Sequence, residues 1–217
     1  MITRIVLIHA VQVAMQPVEA AMREHWPAAL CSNLLDDALP RDLEAAGTLT
    51  PEIAGRIAAL GRYAAGSGAQ GVLFTCSAFG EAIDAAARIL PIPVLKPNEA
   101  MFETALDAGG VVGMLATFEP SIDSMTREFD DEARRRGVSA RLDTVYVPGA
   151  LDALKSGDTA THDRLLAAAA PGLSHCSTIL LAHFSTARAA SAVAARCSQQ
   201  VLTSPGSAVM KLRRLTA

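Results

Sequence analysis

The sequence predicts an α/β protein built from two similar halves, each with a short parallel sheet flanked by helices. Apolar strand-like runs alternate with helical stretches along the chain, and this alternation is typical of parallel sheets with right-handed crossovers. Residues 71–76 and residues 178–183 are apolar runs that lie 107 positions apart. Residues 5–10 and residues 112–117 repeat this offset. A fixed offset indicates an internal duplication even though few residues are identical.

Each half is expected to carry four strands. The predicted strands of the first half are residues 2–10, 29–35, 71–76 and 94–95, and those of the second half are residues 111–117, 141–147, 178–183 and 201–202. Helices are predicted at residues 51–67, 119–136, 158–173 and 186–196. Ile53 and Ile57 recur at helical spacing in the first of these helices, and Thr50 is placed to cap it. We expect one lobe from residues 1–96 with a returning helix at 205–217, and a second lobe from residues 97–204.

Composition excludes several classes of protein. Of the 217 residues, 51% are hydrophobic and 19% are charged, which is enough apolar surface for a core. A net charge of -3 provides no basic stripe for nucleic acid. The apolar runs are shorter than the roughly 20 residues of a membrane helix. The first run ends at His9 and resembles a buried strand more than a signal peptide, so we expect a soluble, cytoplasmic protein.

Cysteine usage agrees with that expectation. The four cysteines, Cys31, Cys76, Cys176 and Cys197, show neither CxxC pairing nor the dense spacing of a secreted disulfide scaffold. Reduced thiols are therefore expected. Of the four, Cys76 is the candidate for chemistry, and the other three are expected to be inert.

Four residues fall at the carboxyl ends of equivalent predicted strands: Ala10, Cys76, Thr117 and His183. Ligands of parallel α/β sheets bind outside these ends. The four residues converge if the two halves face one another, which places the expected active site in the cleft between the lobes.

The sequence offers no motif for a nucleotide or a metal. No GxGxxG or GxxxxGK[ST] follows the first strand, and the five histidines form no HExxH pair. His25 and His162 fall in stretches that resemble exposed helix, and we interpret them as solvated surface residues. We therefore expect no organic cofactor and no metal.

Three segments together resemble a known family. Residues 75–78 place Cys76 at a strand end before an Ala-rich helix, residues 113–117 are followed by Ser121, and residues 180–185 contain His183. The combination is similar to the aspartate/glutamate/hydantoin racemase superfamily, whose relatives include arylmalonate decarboxylase and maleate isomerase. This resemblance implies two pseudo-symmetric Rossmann-like lobes and a cofactor-free site. It also implies two cysteines, one from each lobe, that move a proton on opposite faces of a carbon next to a carboxylate.

The chain departs from the family pattern at two places. Cys76 matches the first cysteine of the pattern. Where the pattern has Gly-Cys-Thr for the second cysteine, this chain has Ala182-His183-Phe184, so an imidazole replaces the thiol. The Asn-Thr that usually follows the first cysteine is Ser77-Ala78 here, a change that bears on the substrate.

The residue types at the two strand ends suit proton transfer. Cys76 stands just before a predicted helix, where a thiol pKa is expected to fall towards neutrality. His183 could act as acid or base near neutral pH. Each has a structural alternative: Cys76 as a small apolar filler, and His183 as a hydrogen-bonded structural residue. The predicted substrate contacts are His9, Ser77, Asn98, Thr117, Ser121, Phe184 and Ser185, of which Ser77, Thr117 and Ser185 could instead cap the helices that follow them.

Three functions are compatible with these residues. The first is a cofactor-independent racemase or epimerase of an amino acid, a hydantoin or a related acid, with Cys76 and His183 on opposite faces of the α-carbon. The second is a one-base enzyme that uses Cys76, either a decarboxylase of a substituted malonate or a cis–trans isomerase of an unsaturated diacid. The third is a protein that binds a small acid without chemistry. The expected partner is a small carboxylate rather than nucleic acid or membrane, and the sequence leaves homo-oligomer formation open.

Overall fold

The computed structural model describes residues 2–216. Within these residues, the chain forms two compact units. The first unit runs to Pro97 and resumes at Pro205, and the second unit is Asn98–Ser204. Each unit contains a four-stranded parallel sheet flanked by helices, so the predicted fold class is confirmed.

The first unit has strand order β2-β1-β3-β4. Its strands are β1 (Arg4–His9), β2 (Leu30–Leu35), β3 (Gly71–Phe74) and β4 (Val94–Leu95). Its helices are α1 (Met15–His25), α2 (Leu39–Ala46), α3 (Pro51–Gly66) and α4 (Gly80–Ile89). Helix α3 begins where the sequence predicts, because the Thr50 hydroxyl accepts a hydrogen bond from the Ile53 amide at 3.3 Å.

The second unit has the corresponding order β6-β5-β7-β8. Its helices are α5 (Glu99–Ala108), α6 (Ile122–Arg136), α7 (Ala150–Lys155), α8 (Thr159–Ala169) and α9 (Ala190–Ala194). Its strands are β5 (Val111–Ala116), β6 (Arg141–Tyr146), β7 (Thr178–Leu181) and β8 (Gln200–Thr203). Helix α10 (Ser204–Thr216) follows β8 and returns the chain to the first unit.

The pairing register repeats between the two sheets. Ile5 is paired with Gly71 in the first sheet, and Val112 is paired with Thr178 in the second, so both partners are shifted by 107 residues. The β3–β4 and β7–β8 pairs keep the same shift. The edge strands differ, because Arg4 is paired with Leu30 whereas Val111 is paired with Arg141, four residues later than the offset requires. The repeat is therefore closest at the three strands that carry the candidate site.

The central strands are buried on both faces, as continuous apolar runs in parallel sheets should be. Gly71 on β3 allows α10 to pack closely, because a Cβ at this position would lie 2.9 Å from Thr216 and 3.1 Å from Leu212. The second unit has two core clusters, one around Phe102 and Phe129 and one around Leu166 and Leu181. Phe102 and Phe129 pack edge to face with ring centroids 5.6 Å apart.

The two strands that precede Cys76 and His183 are each two residues shorter than the sequence predicts. The predicted strands at residues 71–76 and 178–183 end at Phe74 and Leu181. The chain then turns through a 3-10 segment, Ser77–Phe79 in the first unit and Phe184–Ala189 in the second. Cys76 and His183 are the residues that immediately precede these two segments, so each lies at the mouth of a turn rather than inside a strand.

No helix within residues 2–216 combines the length and the apolar character needed to cross a membrane.

Candidate active site

Cys76 lies between β3 and α4, with an extended backbone (φ −114°, ψ 124°). The residue is partly exposed, whereas Thr75 before it and Ser77 after it are buried. The structure records Cys76 as a free thiol. A substrate can therefore reach Cys76, while the residues before and after it are fixed in the interior.

The protonation of Cys76 differs from the expectation. Burial raises the pKa of the Cys76 thiol to about 11, and the backbone N–H of Ala78 only partly opposes that rise. The expectation of a thiol pKa lowered by the following helix is therefore wrong for the free protein. The physical reason is that desolvation of the thiolate outweighs one backbone amide. At neutral pH Cys76 is a thiol, and it can donate a proton without prior ionisation.

His183 occupies the equivalent position between β7 and α9, also extended (φ −127°, ψ 151°). Thr186 holds its backbone: the His183 amide donates to the Thr186 hydroxyl at 3.2 Å, and that hydroxyl donates to the His183 carbonyl at 2.6 Å. The side chain is partly exposed. The two hydrogen bonds between the His183 backbone and Thr186 therefore stabilise the turn that carries the imidazole.

The hydrogen bonds of the imidazole define its tautomer. The Ser121 hydroxyl donates to the Phe118 carbonyl at 2.7 Å, so it has only a lone pair left for His183 Nε2, which lies 2.9 Å away. Nε2 must then carry the hydrogen. Nδ1 is left as an acceptor, with the Thr117 amide at 3.5 Å and the Thr117 hydroxyl at 3.3 Å. These two contacts are long, so the Nδ1 lone pair is weakly engaged.

The charge state of His183 agrees with this tautomer. Burial lowers the pKa of His183 to about 4, with a smaller contribution from His162. The neutral imidazole is therefore the resting form at neutral pH.

The prediction that His162 is a solvated surface residue is wrong, because the structure buries this residue completely. It lies on the face of α8 that also buries Leu166, and its Nδ1 lies 3.0 Å from the Ala150 carbonyl oxygen.

His9 belongs to a polar chain inside the first unit. Its Nδ1 lies 2.8 Å from the Thr75 hydroxyl, and its Nε2 lies 2.9 Å from the Asn33 side-chain oxygen. Asn33 in turn donates to Glu19 at 2.7 Å. Burial lowers the pKa of His9. These hydrogen bonds connect the protein surface to Thr75, the residue before Cys76. Asn33 and Glu19 were not predicted from the sequence, because they lie on different elements and no motif links them.

The remaining predicted contact residues are buried. Ser77, Ser121, Phe184, Ser185 and Asn98 are at most 3% exposed. None of Ser77, Thr117 and Ser185 occupies a helix cap, because the cap positions are taken by Cys76, Phe118 and His183.

Asn98 is at the cap position of α5, yet its side chain makes no cap hydrogen bond. Its side-chain oxygen accepts a hydrogen bond from Ser204 at 2.6 Å instead.

Exposure distinguishes two of the nine predicted site residues. Cys76 and His183 are partly exposed, and the other seven are buried. A weakly acidic thiol and a neutral imidazole can exchange protons with a carbon acid. Within residues 2–216, the group of side chains with metal-ligand spacing is elsewhere, at Asp143, His175 and Cys176.

Comparison with known proteins identifies the family. The model of the Asp/Glu/Hydantoin racemase family matches residues 14–212. No curated protein sequence gives a significant match.

Solved structures of racemases share the fold at low sequence identity. A glutamate racemase from Bacillus anthracis is similar with a TM-score of 0.80 and 13% identity, over 98% of this chain and 80% of that one. An aspartate racemase from Picrophilus torridus has a TM-score of 0.74 and 12% identity, over 99% and 94%. An allantoin racemase from Klebsiella pneumoniae has a TM-score of 0.71 and 17% identity, over 98% and 87%. With the family model matching most of its length, this chain belongs to the Asp/Glu/hydantoin racemase family.

Proposed function

We propose that this chain is a cofactor-independent racemase or epimerase of a small carboxylate-bearing substrate, and that Cys76 and His183 transfer protons on opposite faces of the α-carbon. One observation carries the proposal. The two residues occupy equivalent positions in the repeated strand pairing, and they are the two predicted site residues with exposed surface. A two-sided proton transfer needs such a pair, one group for each face.

The protonation states assign a direction to the first turnover. A substrate whose α-hydrogen faces His183 meets a neutral imidazole, and its C–H bond breaks as the proton passes to Nδ1. The Cys76 thiol then gives its proton to the opposite face of the carbanion. The products on the protein are a thiolate and an imidazolium, which return to the resting forms by proton exchange with water.

The substrate assists this step electrostatically. A carboxylate bound near His183 favours the imidazolium, and therefore raises the pKa of His183 from its low value in the free protein. The developing enediolate needs hydrogen-bond donors, and the amides at the start of the two turns are the donors that this proposal assigns. Seven residues remain the proposed substrate contacts: His9, Ser77, Asn98, Thr117, Ser121, Phe184 and Ser185. Of these, Thr117 and Ser121 also contact the His183 imidazole.

The test is incubation of the full chain in deuterated water with each enantiomer of aspartate, glutamate and allantoin, the substrates named for structurally similar enzymes. We expect one of these or a close analogue to lose optical rotation while gaining deuterium at the stereogenic carbon. Carbon dioxide release from a substituted malonate without racemisation would support the one-base alternative. Binding without isotope exchange would support an acid-binding protein and contradict the proposal.

The same proposal places the enzyme in the cytoplasm and requires no metal or organic cofactor for turnover. Exhaustive chelation should leave the racemisation rate unchanged, because a thiol and an imidazole supply both protonation roles. A rate abolished by chelation and restored by one particular metal would overturn this part.

A further inference from the structure

A second group of chemically active side chains lies in the second unit, at the end of β7 opposite to His183. Asp143 on β6 and His175 and Cys176 before β7 bring a carboxylate oxygen, an imidazole nitrogen and a sulfur within 4.8 Å of one another. Asp143 and His175 are 32 positions apart, so the group cannot be recognised from residue spacing in the sequence. Neither the proposed proton transfer nor the family resemblance uses these three residues.

We propose that Asp143, His175 and Cys176 form a binding site for a divalent transition-metal ion that accepts mixed oxygen, nitrogen and sulfur ligands, with zinc the preferred ion. Zinc is bound by these three donor types, and three protein ligands leave a fourth position for water. Calcium and magnesium are excluded as occupants, because they prefer oxygen ligands alone.

The distances suit tetrahedral coordination. Bonds of about 2.0–2.1 Å to nitrogen and about 2.3 Å to sulfur place those two atoms about 3.5 Å apart at a tetrahedral centre. His175 Nε2 and Cys176 Sγ are already 3.6 Å apart. His175 Nε2 lies 2.7 Å from Asp143 Oδ2, and this pair must separate by roughly half an ångström. The His175 side chain is 55% exposed, so it can move outward.

The sheet leaves room for the sulfur. Gly113 on β5 is paired with Asp143 on β6, so these positions face the same side of the sheet. A Cβ on Gly113 would lie 3.1 Å from Cys176 Sγ. The absence of a side chain at residue 113 therefore allows Cys176 to lie beside Asp143, although Cys176 also packs in the core cluster around Leu181.

Arg141 orients the carboxylate rather than occupying the site. Its Nε donates to Asp143 Oδ1 at 2.6 Å, and its Nη2 donates to Asp143 Oδ2 at 3.0 Å. An ion that takes Oδ2 leaves the stronger contact on Oδ1 intact. Such outer partners of ligand carboxylates raise metal affinity. Arg141 also offsets part of the negative charge of a thiolate and a carboxylate.

Binding releases one proton. The metal–sulfur bond forms as the Cys176 S–H bond breaks, and the proton passes to solvent. Affinity should therefore increase with pH, and the released proton can be counted in a weakly buffered solution.

The site lies at the opposite end of β7 from His183. Cys176 precedes the strand and His183 follows it, and seven residues at about 3.3 Å each separate them by about 20 Å. The metal therefore takes no part in proton transfer. This inference does not depend on the proposed racemase activity.

The experiment is titration of the reduced, metal-free full chain with cobalt chloride, followed by competition with zinc chloride. We expect one cobalt ion per chain, a thiolate-to-cobalt charge-transfer band in the near ultraviolet, and release of one proton. Cys176→Ser should eliminate the band. His175→Gln, at an exposed position that tolerates substitution, should weaken binding at least about 10-fold, and it decides the question if Cys176→Ser fails to fold.

Cys197→Ser is the matched control. Cys197 lies in the same unit and is partly exposed, but its sulfur contacts two backbone carbonyl oxygens, that of Val193 at 3.3 Å and that of Gln199 at 3.9 Å. The control should keep the band and the affinity of the parent chain. A band that persists in Cys176→Ser, a band that disappears in Cys197→Ser, or no band at millimolar cobalt would each overturn the proposal.

Discussion

The two units have the same strand order, and the same pairing register at three of their four strands, but opposite distributions of polar side chains at the ends of these strands. In the first unit, His9 and Thr75 are side by side and hydrogen-bonded at 2.8 Å. The residues 107 positions later are Ala116 and Ala182, both fully buried and apolar. The polar pair that connects the two central strands of the first sheet is therefore absent from the second.

One residue further along, the relation reverses. Ala10 and Cys76 in the first unit correspond to Thr117 and His183 in the second, where the hydroxyl and the imidazole lie 3.3 Å apart. The polar pair therefore lies one residue later in the second unit than in the first, beyond the ends of β5 and β7 at Ala116 and Leu181. The duplication preserved the backbone pairing, whereas the placement of polar groups diverged between the copies.

The two equivalent residues have opposite pKa shifts with the same physical cause. Burial raises the pKa of Cys76 to about 11, and burial lowers the pKa of His183 to about 4. Both shifts favour the uncharged form. A pair of two thiols would need one partner ionised at rest, whereas a thiol and an imidazole can face a substrate with neither charged.

Replacing the thiol should produce the largest effect. Cys76→Ser keeps the size of the side chain but provides a much weaker acid, so we expect racemisation to fall by about 10²–10⁴-fold. Cys76→Ala should fall by a similar factor. Initial rates by polarimetry provide the measurement, with Cys31→Ser as the control, since Cys31 is a partly buried thiol of the same unit. Full activity in Cys76→Ala would remove Cys76 from the site.

Replacing the imidazole should separate two activities that the parent chain couples. His183→Asn keeps a hydrogen-bonding group and removes the titratable nitrogen, so inversion should be lost. For the enantiomer that presents its α-hydrogen to Cys76, exchange of this hydrogen with solvent should persist only as the pH rises towards the raised pKa of Cys76, about 11, where the thiolate that can act as a base is formed. Deuterium incorporation and optical rotation, followed in the same sample, measure the two separately. Complete racemisation by His183→Asn would make His183 a structural residue and would exclude the two-sided model.

The pH dependence of stability should differ between the units. His183 has a folded-state pKa below its ordinary value of 6.5, so its contribution, about 3 kcal/mol, is lost as pH falls from about 6.5 to about 4. Cys76 has a folded-state pKa above its ordinary value of 9.0, so a contribution of about 3 kcal/mol is lost as pH rises from about 9 to about 11. His9 and His162 add to the acid side, since burial lowers both pKa values.

Urea unfolding midpoints across this pH range measure both effects. His183→Asn should reduce only the loss of stability at acid pH, and Cys76→Ala should reduce only the loss of stability at alkaline pH. If His183→Asn leaves the acid side unchanged, the imidazole is already charged in the folded protein, and the neutral resting state is wrong.

The pairing register of the central strands and the equivalence of Cys76 with His183 were predictable, because the apolar runs of the two halves recur at a constant offset of 107 residues. The protonation states were not, because they depend on how much protein surrounds each side chain. The burial of His162 was missed because α8 is amphipathic only weakly and its inner face carries this one polar ring. The site at Asp143 was missed because only the folded sheet brings β6 beside the turn before β7.

The path of the chain between the units has a consequence for biosynthesis. The second unit is one continuous stretch, whereas the first needs α10, whose Leu212 and Thr216 pack against Gly71. A ribosome releases α10 after every other element, and domains tend to fold as their residues emerge. The unit that carries His183 can therefore be complete on the nascent chain while the unit that carries Cys76 still awaits its final helix. The thiol half of the molecule therefore matures after the imidazole half.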